Sequence, residues 1–475
     1  MDPRPSLDLA RRRLRWLIGL TVPLLVATAA SAEETAPAVA DVGDTAWVLA
    51  ASGLVLMMTL PGLALFYGGL VRAKNVLNVF MQCFIAAGAV GVLWVLGGYS
   101  LAFSSGGGSF IGNLAKAGLA GVGTASTVAN YGTDPVRHIP EYIFIVFQGM
   151  FAIITPALIL GAVVERMKFS AFLAFICVWL LLVYCPLAYM VWGGGWIFQA
   201  GAIDFAGGLV VHMSSGFSAL VAALMVGKRR GFGKEPMPPH SMPLCLIGAG
   251  LLWAGWFGFN AGSALSASPL AALAFLNTTT AASTAVVTWA AIEWAHRGKP
   301  TALGAATAAV AGLVAITPAC GNVSPLGAIA VGVGVSVVCY LAVTFLKPAF
   351  GYDDSLDAFG VHGLGGAWGA LASGLFATTF GTGITSNAAQ VLVQLKSIGF
   401  TMVFAPVMTF AILLALRAVF GSLRVSDEEE FEGLDLSAHS ESAYALGGGA
   451  SMGGGAHGGH AEVGFATSAA AEKTA

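Results

Sequence analysis

Long apolar runs constrain the fold of this 475-residue chain more than any other feature of the sequence. A bilayer core about 30 Å thick is crossed by about 20 helical residues, because a helix rises about 1.5 Å per residue. Only 10% of the residues are charged, against about 25% in soluble domains. The sequence therefore predicts an all-α polytopic membrane protein with 11 transmembrane helices, near residues 46–70, 76–103, 140–164, 169–190, 205–227, 242–263, 270–295, 302–319, 325–346, 356–379 and 394–420.

The first 32 residues have the features of a signal peptide. A basic stretch from Arg11 to Arg15 precedes an apolar stretch from Trp16 to about Ala29, and the small residues Ala30-Ser31-Ala32 follow. This order of basic, apolar and small residues is typical of a secretory leader that is cleaved after export. We expect residues 1–32 to be removed; an uncleaved anchor helix is the alternative.

The basic residues between the runs indicate the orientation in the membrane. With the mature N-terminus outside, 13 Lys and Arg fall in cytoplasmic segments and only Lys116, Arg137 and Lys396 fall outside. Positive charge is enriched on the cytoplasmic side of membrane proteins, so we expect the C-terminus in the cytoplasm. These residues are scattered and form no basic stripe, which excludes a nucleic-acid partner.

Two of the runs contain similar short motifs. VVHMSSGFSAL lies in the fifth run and GVHGLGGAWGAL in the tenth, and each has a glycine four residues after its histidine. Because the two runs cross in opposite directions, they fit inverted repeats, which place transport sites at the bilayer midplane. We predict two inverted five-helix repeats, at about 46–227 and 242–379, followed by an eleventh helix at 394–420 within a membrane domain of residues 33–424.

Three ionisable residues in or beside these motifs indicate a functional site, because such groups are costly in hydrocarbon. His212 and His362 lie about 9 to 12 Å deep by helix rise, near the bilayer centre. Two neutral imidazoles can share one N–H between ring nitrogens, so we expect the pair to meet. Asp204 precedes His212 by eight residues, which is too far to orient the ring. It is expected to cap the helix and to attract cations indirectly.

Other kinds of function have little support in the sequence. The six cysteines have no CxxC spacing, and no catalytic nucleophile or phosphate-binding loop is present, so we expect no metal site, no cofactor and no enzyme activity. Residues 425–444 are polar and acidic and suit a cytoplasmic regulatory segment. Residues 445–475 form a Gly- and Ala-rich, low-complexity tail.

Seven motifs resemble, in order across residues 46–425, the Amt/Mep/Rh family of ammonium transporters, and its bacterial Amt branch in particular. They are FYGGLVRAKN, FQGMFAIITPALILGAVVERMKFS, DFAGGLVVHMSSG, GWFGFNAGSA, NTTTAA, TPACG and DAFGVHGLGG. The tail sequence EGLDLSAHSESAY resembles the C-terminal motif of the family, with departures at Ala438 and Ser440, where Glu and Gly would be expected.

The resemblance assigns roles to particular residues. It implies an outer ammonium site at Phe151, Trp192 and Ser263, and a two-ring gate at Phe151 and Phe259. It also implies a pore with a proton relay at His212 and His362. Asp204 and Trp256 would be structural residues near the site. Physical chemistry agrees with an outer aromatic site. An indole face attracts a small cation by about 0.5 to 2 kcal/mol, and a hydroxyl can accept one of its N–H donors.

The resemblance implies a transporter of the bacterial inner membrane, surrounded by lipid. It would recruit ammonium, deprotonate it and conduct ammonia, with the proton, through a hydrophobic pore. A homotrimer and a cytosolic PII-family regulator are implied as well. The alternatives are an ammonium sensor or transceptor, and a Rh-like channel for neutral ammonia. Trp192 argues against the second, since such channels lack an outer Trp at this site.

Overall fold

Helices form almost all of the regular structure in the computed structural model, which describes residues 39–129 and 137–444. The predicted signal peptide and the low-complexity tail lie outside these residues. The described part also contains one small hairpin, in which β1 (Thr127–Ala129) pairs antiparallel with β2 (His138–Pro140).

Nine helices in the described ranges are long and apolar enough to cross a membrane. These are α1 (Val42–Leu70), α2 (Ala73–Phe103), α3 (Glu141–Val163), α4 (Phe169–Gln199), α5 (Gly208–Val226), α6 (Met242–Gly262), α7 (Pro269–Arg297), α9 (Pro325–Phe350) and α11 (Asn387–Phe420). Two shorter segments stand at the remaining predicted positions: α8 (Ala302–Ile316), and α10, in which π-helical Phe359–Leu364 leads into α-helical Gly365–Leu375. The all-α polytopic fold is confirmed, and the predicted count of 11 is compatible with these segments.

Hydroxyl side chains start five of these helices. Each accepts a hydrogen bond from the backbone N–H three residues later, and they are Ser241, Ser268, Thr301, Ser324 and Ser386. The first N–H groups of a helix have no partner within the helix. A side-chain cap satisfies one of them and stabilises the helix by about 1 kcal/mol.

The helices α5 and α10 cross where each begins. Both start with a π-helical stretch, and each stretch contains one histidine. At the crossing, a Cβ atom on Gly216 would lie 2.0 Å from the backbone nitrogen of Gly363, and one on Gly366 would lie 3.0 Å from the Cβ of His212. Only glycine permits so close an approach of two backbones. The crossing therefore brings the two motifs of the proposed repeats into contact.

The segment after α11 folds back onto the membrane domain of the same chain. It contains α12 (Asp427–Glu432) and α13 (Leu434–His439). Asp435 accepts a bond of 2.8 Å from the backbone N–H of Asn78, and Leu434 donates its N–H over 2.8 Å to the side chain of Asn75. We call the face that carries these contacts the tail-side face.

Four charged residues join the loops of the tail-side face, and we call them the loop network: Arg72, Glu165, Arg229 and Asp353. Glu165 is 2.7 Å from Arg72 and 3.5 Å from Arg229, and Arg229 is 2.9 Å from Asp353. Burial raises the pKa of the Glu165 carboxyl, but the positive charges of Arg229 and Arg72 outweigh this and hold it below its usual value. The network therefore stays ionised at neutral pH.

Candidate functional site

A wide cavity opens on the face opposite the tail side, at a break in α4. Its volume is about 560 Å³, and its wall includes Trp192, Asp204 and Ser263. The indole N–H of Trp192 donates over 2.8 Å to the backbone carbonyl of Asp204. The hydroxyl of Ser263 donates over 2.8 Å to the carbonyl of Phe259, so its oxygen lone pairs can still accept a hydrogen bond.

Two phenyl rings lie next to the wide cavity. The ring of Phe151 is 6.2 Å from that of Trp192, edge to face, and 4.4 Å from that of Phe259. Phe151 is 1% exposed and Phe259 is fully buried. The two rings are tilted by 47° and too close to leave room between them, so a passage here requires at least one ring to move.

The two histidines meet beyond these rings. Their Nδ1 atoms are 3.3 Å apart and their ring centroids 5.4 Å apart. His212 also stacks on Phe259 at 5.9 Å and on Trp256 at 5.4 Å. An Nδ1–Nδ1 contact of this length accommodates one shared N–H, because in a neutral pair one nitrogen donates and the other accepts. The Nε2 atom of His212 has no hydrogen-bond partner among the described residues.

The pair borders a narrow cavity with a volume of about 10 Å³, which is close to the least that holds one water-sized molecule. Apolar side chains form the rest of its wall, among them Leu63, Leu158 and Leu252. His362 also borders a third cavity of about 350 Å³, which reaches the arginine side chains of the tail side. The narrow and tail-side cavities thus share His362, and the rings of Phe151 and Phe259 separate the narrow cavity from the wide one.

Asp204 accepts hydrogen bonds from the backbone N–H groups at the start of α5. Its Oδ1 accepts the N–H groups of Gly207 and Gly208, at 2.9 and 2.5 Å, and its Oδ2 accepts those of Leu209 and Val210, at 2.8 and 3.2 Å. The carboxylate precedes the helix by more than one residue, so it caps from outside the usual cap position. In hydrocarbon these four N–H groups would otherwise lack a partner.

All eight residues singled out from the sequence lie along the three cavities or support a residue that does. Trp256, which stacks on His212, is fixed by a hydrogen bond of 2.9 Å from its indole N–H to the hydroxyl of Thr317. Sequence reasoning missed Thr317, the Gly216–Gly363 crossing and Asp354. The signal for Asp354 was present, since it precedes His362 by eight residues, as Asp204 precedes His212.

Comparisons with known proteins show which family the chain resembles. Residues 46–444 match the model of the Ammonium Transporter Family. An ammonium transporter of Bacillus subtilis is 47% identical over 413 residues, which cover 85% of this chain and 99% of the relative.

Solved structures show the same likeness. A structure described as a sensor Amt protein has a TM-score of 0.77 at 28% identity and covers 84% of this chain and 98% of its own. Mep2 of Saccharomyces cerevisiae has a TM-score of 0.74 at 35% identity and covers 82% of this chain and 88% of its own. The family match and the similarity to these relatives show that the chain belongs to the ammonium transporter family.

Proposed function

We propose that the protein recruits ammonium in the wide cavity, deprotonates it and conducts ammonia, together with the proton, past His212 and His362. The observation that carries this proposal is the histidine pair, which borders a narrow apolar cavity between two larger ones.

Recruitment would occur at Trp192, Phe151 and Ser263. The indole face attracts a cation, and the free lone pairs of the Ser263 hydroxyl accept one of the four N–H donors of ammonium. Asp204 adds negative charge near the cavity, although its carboxylate oxygens are occupied by backbone N–H groups.

Selection would follow from the rings and the narrow cavity. A bare cation loses its hydration in an apolar passage and finds few polar partners there. Ammonium can lose a proton and pass as neutral ammonia, whereas potassium has no proton to lose. The passage would therefore reject potassium while it admits a molecule of similar size.

The histidine pair would provide the polar stretch of the pore. Neutral imidazoles can exchange donor and acceptor roles, so one ring nitrogen can take up a proton while another passes one on. The Nε2 atom of His212, which has no hydrogen-bond partner in the described part of the chain, is available to a passing molecule. Net movement of charge follows if the proton crosses along the pair.

The setting of the protein is part of the same proposal. The 13 to 3 bias of basic residues supports a bacterial cell membrane location with the mature N-terminus outside and the tail-side face in the cytoplasm. Family membership supports a homotrimer with one pore in each subunit. It also supports a cytosolic regulator of the PII family that acts through residues 425–444.

Current measured on a supported membrane tests the proposal. The purified full-length protein is reconstituted in liposomes and given a pulse of ammonium or of potassium at equal concentration. We expect a transient inward current with ammonium and none with potassium. Internal alkalinisation without current would instead indicate a channel for neutral ammonia, and equal currents with both cations would contradict the proposed selection.

A further inference from the structure

Asp354 repeats the position of Asp204 in the second half of the chain. Each aspartate precedes the histidine of its own half by eight residues, and each lies just before a π-helical stretch. Asp354 is fully buried, and Asp204 is 6% exposed. The two residues lie at opposite faces of the membrane domain, because α5 and α10 begin from opposite sides.

The hydrogen bonds of Asp354 resemble those of its counterpart, with two backbone donors where Asp204 has four. Its Oδ1 accepts the N–H of Ala358 at 3.1 Å, and its Oδ2 accepts the N–H of Phe359 at 2.7 Å. These are the donors at the start of the π-helical stretch that carries His362. A buried N–H group without a partner costs about 1 to 3 kcal/mol, so Asp354 fixes where this stretch begins.

His362 has fewer aromatic neighbours than His212. Among the aromatic rings of the described ranges, its ring stacks on that of His212 alone, whereas His212 also stacks on Trp256 and Phe259. A shift in the start of α10 would move His362 relative to a partner that stays in place. It would change the Nδ1–Nδ1 distance of 3.3 Å, on which sharing of a proton depends.

We propose that Asp354 is a positioning residue for His362, as Asp204 is for His212, and that it controls the maximal transport rate and the selectivity without affecting recruitment. The inference rests on the proposed function. Recruitment is spared because Asp354 lies at the tail-side end of the pore, beyond the histidines. Asp204 differs in this respect, since its backbone carbonyl also holds the indole of Trp192.

The test compares Asp354→Ala and Asp354→Asn with Asp357→Asn in reconstituted full-length protein. Asp357 is a matched control three residues away; its carboxylate pairs with Lys347 at 2.6 Å and takes no part in capping. Currents are recorded over a range of ammonium concentrations and with potassium, and are normalised to the protein incorporated. Thermal unfolding of each solubilised variant is measured in parallel.

We expect Asp354→Ala to lower the maximal ammonium current by about 10- to 100-fold, since small misplacements of a reacting group have effects of this size. The half-saturating ammonium concentration should stay unchanged, and potassium current should rise. The maximal ammonium current of Asp354→Asn should lie between those of Asp354→Ala and wild type, because the amide keeps one acceptor oxygen but places its NH₂ against a backbone donor. Asp357→Asn should behave as wild type.

If Asp354→Ala fails to assemble, Asp354→Asn carries the test alone. Wild-type maximal current and selectivity in a folded Asp354→Asn would overturn the inference. A variant whose half-saturating concentration changes with the maximal current would overturn it as well. Absence of ammonium current from the wild-type protein would contradict the proposed function instead, so the two failures are distinguishable.

Discussion

Trp192 connects two parts of the site through different parts of its side chain. Its ring lies against the edge of Phe151, while its indole N–H holds the backbone of Asp204. An interfacial tryptophan that served only as a membrane anchor would need neither contact. The residue therefore has the position expected of a cation-binding group at the mouth of a pore.

Replacing this residue tests its part in recruitment. Trp192→Leu removes a cation–π attraction of about 1 kcal/mol, which corresponds to roughly a fivefold rise in the half-saturating ammonium concentration. The maximal current should change less. The same titration on Trp196→Leu serves as a control, because Trp196 packs on Phe400 away from the cavity. An equal half-saturating ammonium concentration in wild type and Trp192→Leu would show that Trp192 serves only as a membrane-interface residue.

The sequence indicated the histidine pair but not everything that positions it. A single histidine within an apolar run is conspicuous, and the repeated motif paired His212 with His362. Asp354 was missed because it lies just before the predicted tenth run, where an aspartate in a loop is common and does not by itself indicate a function. The crossing of Gly216 with Gly363 was missed for another reason. A glycine in an apolar run does not show which backbone it faces, and only the fold shows that these two meet.

Among the elements, α13 ends in a strained position. Ser440 has a φ of 58° at the end of this helix, in the left-handed region that glycine adopts without strain. The resemblance to the family predicted Gly at this position, and the backbone supplies the physical reason. The departure at Ala438 has no comparable explanation, since Ala438 lies within the helical part of the segment.

Ser440→Gly should therefore strengthen the docking of residues 425–444. Relief of the left-handed strain is worth about 1 kcal/mol, and hydrogen exchange of the backbone amides in α13 should slow by roughly fivefold. Ala438→Gly is the opposite control, because glycine inside a helix costs about 0.5 to 1 kcal/mol relative to alanine. Faster exchange in Ser440→Gly would contradict the expected relief of strain.

The loop network gives a prediction for pH. The pKa of Glu165 is lower in the folded protein than its usual value, so its stabilisation is complete above the unfolded pKa of about 4.3 and is lost as pH falls further. Glu165→Gln should lower the free energy of unfolding by about 3 to 5 kcal/mol, because two arginines lose a buried partner. Thermal unfolding of wild type and Glu165→Gln should show a difference in the free energy of unfolding that stays constant from pH 8 to pH 6. A difference that shrinks in that range would contradict the direction of the shift.

In the whole molecule, His212 and His362 meet at one narrow cavity, and the tail segment lies against the loops of the tail-side face. Glu430 in α12 accepts the backbone N–H of Arg230 at 2.6 Å and pairs with Arg424. Arg230 follows Arg229 of the loop network, which binds Asp353 next to Asp354. A continuous set of contacts thus runs from the tail segment to the start of α10.

Two truncations test this connection. Removal of residues 445–475 should leave the current unchanged, because the contacts of α12 and α13 and the hydrogen bond from Tyr444 to His240 remain. Removal of everything after Arg424 should change the current, since Glu430 and Asp435 are lost. Both proteins are compared with wild type in reconstituted liposomes. Equal currents from the two truncations would show that the docked segment has no influence on transport.

The claim that ammonia passes over a histidine pair is tested most directly by ammonium and potassium currents of a variant in which both His212 and His362 are replaced by Leu. His296→Leu is the control, because His296 lines none of the three cavities; its partner Tyr340 borders the tail-side cavity. We predict that the double variant folds in the membrane but loses its selective ammonium current, while His296→Leu retains it. Full ammonium-driven current in the double variant would contradict the account.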